Sequence, residues 1–205
     1  MRNLLKFDLK FDREIAVLTI LSTLMIMVDR YHNFTGYKAL DRIFIYLILP
    51  LAIIMLVERK SPRDYGFRLG DWKAGIALTI LVIGISIPIL WYITQGSPQM
   101  QEYYKDQLSP ATPLFSFLDL IGWEFTFRGW LLFGYARKYG PEALWLQAVP
   151  FALGHLGKPE VETLSTIFGG FLFGLVAWRT HSFLYPFLIH WFINTFVVLV
   201  AGGAF

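Results

Sequence analysis

The chain has 205 residues, of which 56% are hydrophobic and only 16% are charged. Soluble domains carry about 25% charged residues, so this deficit indicates an integral membrane protein. The absence of cysteine excludes disulfides, thiolate metal sites and cysteine nucleophiles. The net charge of +3 does not indicate nucleic-acid binding, because the basic residues lie in loops beside apolar segments, where membrane topology explains them.

Seven apolar stretches follow one another along the chain and predict an all-α, polytopic membrane helix bundle. They cover residues 14–28, 41–57, 74–94, 112–135, 143–156, 163–178 and 182–204. A helix needs about 20 residues to cross a bilayer, and the third, fourth and seventh stretches reach that length comfortably. Because backbone polar groups find no water partners in lipid, we expect every span to be helical.

The loop charges predict how the bundle is oriented. With seven spans and the N-terminus in the cytoplasm, 12 Lys and Arg side chains lie on the inner side and 5 on the outer side. The first stretch is expected to be a retained anchor and not a cleaved signal peptide. The shortness of the chain favours a bacterial inner membrane. The Pro-rich segment 94–113 is expected to be a plain connector, with a lid over a substrate entrance as the alternative.

Three stretches place polar residues at membrane depth, where each one costs a few kcal/mol. Glu124 and Arg128 are four residues apart and so share one helical face. His155 lies in the fifth stretch, and His190 and Asn194 lie four apart in the seventh. A buried carboxylate is a candidate general base, and the hydrogen-bond donors suit a developing oxyanion, although ion pairing and helix packing are the simpler roles. Together they predict one shared polar pocket.

In this order the three motifs resemble the CPBP family of CAAX proteases and bacteriocin-processing (Abi-type) membrane enzymes. The resemblance covers about residues 110–200, and the family's motifs are Glu-Glu-x-x-x-Arg, Phe-x-x-x-His and His-x-x-x-Asn. Here they appear as 123–128, 151–155 and 190–194. The resemblance implies one membrane domain over 1–205, in which 1–110 supplies N-terminal helices and loops and 111–205 supplies the catalytic-core helices.

The chain departs from the family pattern at one position, because Trp123 stands where the first Glu of the pair belongs. The resemblance implies that this Glu activates water, that the first His assists it, and that the later His and Asn hold the oxyanion. Glu124 lies about 100° further around the helix than Trp123. Asp119 lies one turn before Trp123 on the same face. We favour Glu124 over Asp119 as the base, with Arg128 orienting it.

The resemblance implies an intramembrane endopeptidase that acts on a membrane-associated peptide or protein of the prenylated or leader type. No cofactor is expected, although one Glu and two His can hold zinc with an open position for water. The alternative is a non-catalytic relative, with an immunity, scaffold or chaperone-like role, that lost the reaction together with the first Glu. A small transporter ranks last, because the polar residues lie in one layer of the membrane and not at successive depths.

Overall fold

The computed structural model describes residues 10–204, which form helices and turns and contain no β-strand. The first four helices are α1 (Arg13–Tyr31), α2 (Lys38–Val57), α3 (Trp72–Gly96) and the short α4 (Pro98–Tyr104). The next four are α5 (112–139), α6 (Ala143–Gly154), α7 (Glu160–Thr180) and α8 (Leu184–Ala201). Short 3-10 turns lie at Pro62–Tyr65, Lys105–Gln107 and Gly140–Glu142. The all-α architecture is therefore confirmed, with a helix in each of the seven apolar stretches.

The seven-span count, in contrast, is not confirmed. Within residues 10–204, four helices are long and apolar enough to cross a membrane, namely α2, α3, α7 and α8. Helix α6 has 12 residues and rises about 18 Å, well short of a hydrocarbon core of about 30 Å. Helix α5 is long enough, but it carries Asp119, Glu124 and Arg128. These charged residues exclude α5 from the helices that are apolar enough to cross a membrane.

Two of the long helices contain π-helical segments. In α2 these segments are Phe44–Ile48 and Ile53–Val57, and in α5 the segment is Phe125–Leu131. Inside α5, Gly129 lies so close to the loop before α3 that an added Cβ would be 2.8 Å from the carbonyl oxygen of Tyr65. π-Helical segments inside α-helices are frequent at functional sites. The segment in α5 begins directly after Glu124 and includes Arg128.

Charged side chains tie several helix ends together at one end of the bundle. Asp71 caps α3 through the amide of Ala74 and accepts a 2.8 Å hydrogen bond from Arg179 near the end of α7. The Arg179 hydrogen bond is the main reason that the pKa of Asp71 lies below its usual value. Glu14, at the start of α1, accepts 2.5 Å hydrogen bonds from Lys60 and Arg137. These contacts place five helix ends on one side of the bundle, namely the starts of α1 and α3 and the ends of α2, α5 and α7. Arg2 and Lys6, which entered the predicted charge bias, lie outside the described residues.

The segment predicted as a plain connector contains a helix that is packed against the bundle. Ser97 caps α4, and Tyr104 at its end is buried. The Tyr104 hydroxyl donates a 2.6 Å hydrogen bond to Glu162 near the start of α7, and Lys158 donates to the Tyr104 oxygen at 3.1 Å. The connector is thus anchored beside the N-terminal end of α7.

Helices α6 and α7 approach each other closely at Gly170. The Gln147 side chain on α6 donates a 2.8 Å hydrogen bond to the carbonyl oxygen of Gly170. A Cβ added at Gly170 would lie 3.0 Å from the Phe151 ring and 3.1 Å from Ala148, whereas one added at the neighbouring Gly169 would meet nothing within 4 Å. Of these two neighbouring glycines, Gly170 therefore lies at the close approach of the helices and Gly169 does not.

Because of this difference, we expect Gly170→Leu to lower the free energy of unfolding by about 1–3 kcal/mol, the usual cost of overpacking a close contact. Gly169→Leu is the matched control, since it makes the same change one position away in open space. Denaturant or thermal unfolding in detergent measures both variants. Equal stability of the two would contradict the packing described here.

Candidate active site

Glu124 is at the centre of a fully buried polar cluster. Its Oε1 accepts a 3.1 Å hydrogen bond from Arg128 Nη1 and a 2.6 Å hydrogen bond from His190 Nδ1. The side chains of Glu124 and Arg128 have no exposed surface. Glu124 Oε2 has no partner among residues 10–204. The expected pairing of Glu124 with Arg128 is present, and the histidine that contacts Glu124 is His190 and not His155.

Arg128 is enclosed by aromatic rings. Its Cζ lies 3.7 Å from the ring centroid of Phe151 and 5.2 Å from that of Phe173. Cation–π attraction of this kind is worth about 2 kcal/mol or more when the cation is desolvated. Arg128 is therefore held by one carboxylate and two ring faces, which join α5 to α6 and α7.

The two histidines are each anchored through Nδ1. His155 Nδ1 is 2.8 Å from the carbonyl oxygen of Phe151, which can only accept, so Nδ1 carries the hydrogen. His190 Nδ1 faces the Glu124 carboxylate in the same way. The rings are nearly parallel, with centroids 6.2 Å apart. Nε2 of each ring is left for a substrate or for water.

A cavity of about 720 Å³ adjoins these rings. His155, His190 and Asn194 all line it. Most of the remaining wall is apolar and comes from α3, α7 and α8, and its members include Leu78, Val82, Leu90, Leu172, Val176 and Val197. Glu124 and Arg128 do not line the cavity. The sequence-predicted residues thus divide into three that face the cavity and two that lie behind His190.

Asn194 has a partner that the sequence analysis did not identify. Its side-chain carbonyl oxygen accepts a 2.8 Å hydrogen bond from the hydroxyl of Ser116 on α5. Ser116 lies seven residues before Trp123, two helical turns away on the same face. The seven-residue spacing was the sequence signal that could have identified Ser116. A single serine in an apolar helix is common, however, and does not by itself indicate a site.

Trp123 occupies the position of the family's first Glu beside His155. The indole is 6% exposed, its ring centroid lies 5.9 Å from that of His155, and its edge packs on Tyr46. A Cβ added at Gly154 would lie 2.6 Å from the indole, so glycine at 154 makes room for it. The indole Nε1 has no partner within the described part of the chain.

Asp119, the second candidate for the base, is bound elsewhere. It accepts a hydrogen bond from Arg42, which also pairs with Asp29 at 3.3 Å. Arg42 in turn lies over the Trp123 ring, 5.5 Å from its centroid. Asp119 does not line the cavity, and it hydrogen-bonds to neither His155 nor His190 in the described structure.

Residues 106–196 match the family described as type II CAAX prenyl endopeptidase, Rce1-like. The matched residues make up slightly less than half of the 205-residue chain, and over that region the chain is similar to the CAAX proteases. The matched region contains all three motifs and ends two residues after Asn194, so the resemblance read from the sequence is confirmed. Comparisons with curated proteins and with solved structures gave no match. The family match and the four apolar helices together indicate a protease that is an integral membrane protein.

No group of three or more His, Cys, Asp or Glu side chains placed to hold a metal ion occurs over residues 10–204. Glu124 and His190 are in contact, while the Nδ1 of His155 is bonded to the backbone.

We expect Arg128→Met to lower the free energy of unfolding by about 3–5 kcal/mol, because it leaves the Glu124 carboxylate buried without its cation. Adding Glu124→Gln removes that charge and should recover part of the loss. Unfolding of the two single variants and the double variant in detergent measures the coupling. Strictly additive losses would show that the ion pair does not act as a unit.

Proposed function

We propose that the protein is an intramembrane endopeptidase that hydrolyses a peptide bond of a membrane-associated substrate of the prenylated or leader type. The observation that carries the proposal is the meeting of His155, His190 and Asn194 in one largely apolar cavity. A concave apolar site with a few convergent polar groups is typical of a substrate pocket. The match to a protease family supplies the reaction class.

In the proposed mechanism His155 is the group that takes a proton from water. Its Nδ1 is held by the Phe151 carbonyl, so Nε2 is the acceptor. The hydroxide formed attacks the carbonyl carbon of the peptide, and the protonated His155 then gives the proton to the departing amine. Glu124, favoured from sequence as the base, is bonded to His190 behind the cavity wall, and we therefore assign it a positioning role.

The oxyanion that forms on the peptide carbonyl is held by His190 and Asn194. The Glu124 carboxylate, 2.6 Å from Nδ1, fixes the orientation of the His190 ring, and in the proposed mechanism its Nε2–H is the first donor to the oxyanion. The Asn194 amide supplies a second donor. Donors aimed at a developing negative charge in a site of low dielectric contribute strongly to catalysis, about 10²–10³-fold in rate for each donor. Arg128 balances the Glu124 charge.

We further propose that the end of the bundle that carries Lys60, Arg137 and Arg179 faces the cytoplasm of a bacterial cell. These cations meet at one side through their contacts with Glu14 and Asp71. An excess of Lys and Arg marks the cytoplasmic side of a membrane protein. Membrane lipid and the peptide substrate are the proposed partners, and neither nucleic acid nor a cofactor is part of the proposal.

Incubation of the purified protein in lipid nanodiscs with prenylated CAAX peptides and with leader peptides tests the proposal. We expect cleavage by the unaltered protein and a loss of about 10²–10⁴-fold in kcat for His155→Ala, the usual contribution of a general base. Asp119→Asn is the matched control, because Asp119 lies outside the cavity. Undiminished cleavage by His155→Ala would refute the assignment. Inhibition by a chelator that zinc reverses would refute cofactor independence.

A non-catalytic relative is the second candidate, and Trp123 is the observation that favours it. The indole fills the place beside His155 where the family's first carboxylate stands. In that case we expect no cleavage by the unaltered protein and measurable cleavage after Trp123→Glu, which returns a carboxylate to the site. Trp123→Gln, of nearly the same shape, is the control without the charge. Cleavage by the unaltered protein that Trp123→Glu does not increase would exclude this candidate.

A further inference from the structure

Each of the three candidate site residues that face the cavity is held by a hydrogen-bond partner. His155 is held by the Phe151 carbonyl and His190 by Glu124, and both partners belong to the family motifs. Asn194 is held by Ser116, which belongs to none of them. We propose that Ser116 is a positioning residue that turns the Asn194 amide so that its NH₂ group points toward the reacting carbonyl. The inference rests on the proposed protease function.

The chemistry of the amide makes its orientation decisive. An asparagine side chain presents a carbonyl oxygen on one side and an NH₂ group on the other, and the two have nearly the same shape. Only the NH₂ side stabilises an oxyanion, because the oxygen would repel it. The wall around Asn194 is mainly apolar, so few other groups there select between the two orientations.

Ser116 has the position and the burial to make this selection. Its hydroxyl donates to Asn194 Oδ1 at 2.8 Å, and the residue is 8% exposed, so water does not compete effectively. A serine inside a helix commonly donates to a carbonyl of its own preceding turn. Here the hydroxyl reaches from α5 to α8 instead. With Oδ1 occupied by Ser116, the NH₂ group is left for the cavity.

The same two helices are joined by a second hydrogen bond that does not involve Asn194. Trp191 Nε1 on α8 donates to the carbonyl oxygen of Pro113 on α5 at 2.7 Å. Trp191→Phe removes that bond and keeps a ring to pack on Phe117 and Phe187. Trp191→Phe is therefore the control for a hydrogen bond that joins α5 to α8 without contacting Asn194.

The test is a double-mutant cycle of Ser116→Ala and Asn194→Ala, measured as steady-state kinetics on a peptide from the panel above. We expect Ser116→Ala to lower kcat about 2- to 12-fold, the range that one neutral hydrogen bond spans, with KM nearly unchanged. In the Asn194→Ala background the same change should have no further effect. Trp191→Phe should retain the kcat of the unaltered protein, and Ser116→Thr, which keeps the hydroxyl, should recover kcat relative to Ser116→Ala.

Several results would overturn the inference. An unchanged kcat for Ser116→Ala, or an equal loss in the presence and absence of Asn194, would refute it while leaving the protease proposal intact. A loss in Trp191→Phe as large as that in Ser116→Ala would assign Ser116 to helix packing. If the unaltered protein cleaves no peptide of the panel, both the proposed function and the role of Ser116 are refuted.

Discussion

The buried ion pair of Glu124 and Arg128 is the constraint on which the arrangement of the site depends. Both side chains are fully enclosed, and a charge in such surroundings costs several kcal/mol unless it is paired. The pair has further contacts with His190 on α8, which hydrogen-bonds to Glu124, and with the Phe151 and Phe173 rings, which cover Arg128. Rotation of α5 about its axis would break all of these contacts at once. The pair therefore fixes α5 against α6, α7 and α8.

That fixed rotation divides α5 into two functional faces. Glu124 and Arg128 point behind the cavity wall, where Glu124 holds His190 and Arg128 pairs with Glu124. Trp123 and Ser116, two turns apart, point toward His155 and Asn194 instead. One helix thus supports all three cavity-facing residues, although no residue of α5 lines the cavity itself. The widened π-helical turn after Glu124 lies where these two faces separate.

The parts of the structure that the sequence predicted depend on local properties. Runs of apolar residues determine where helices form, and polar residues at membrane depth were correctly expected to converge. The span count, α4 and the π segments depend on contacts between distant residues, such as Gly129 against the Tyr65 carbonyl. Glu124 was expected to face His155, but one position along a helix is a turn of about 100°, and only the Arg128 contacts determine which way it faces. Ser116 gained significance only through Asn194, 78 positions later.

The exchange of glutamate for Trp123 changes the electrostatics of the site as well as its shape. A carboxylate beside His155 would stabilise a positive charge on that ring, whereas the indole contacts it through an aromatic edge. No carboxylate hydrogen-bonds to His155 in the described structure, so in the proposed mechanism this histidine takes the proton without a neighbouring anion. Behind the wall, the Arg128 cation is paired with the Glu124 carboxylate, which also holds His190. Under the proposed mechanism, catalysis in this chain would therefore depend on the His190 and Asn194 donors more than on proton abstraction.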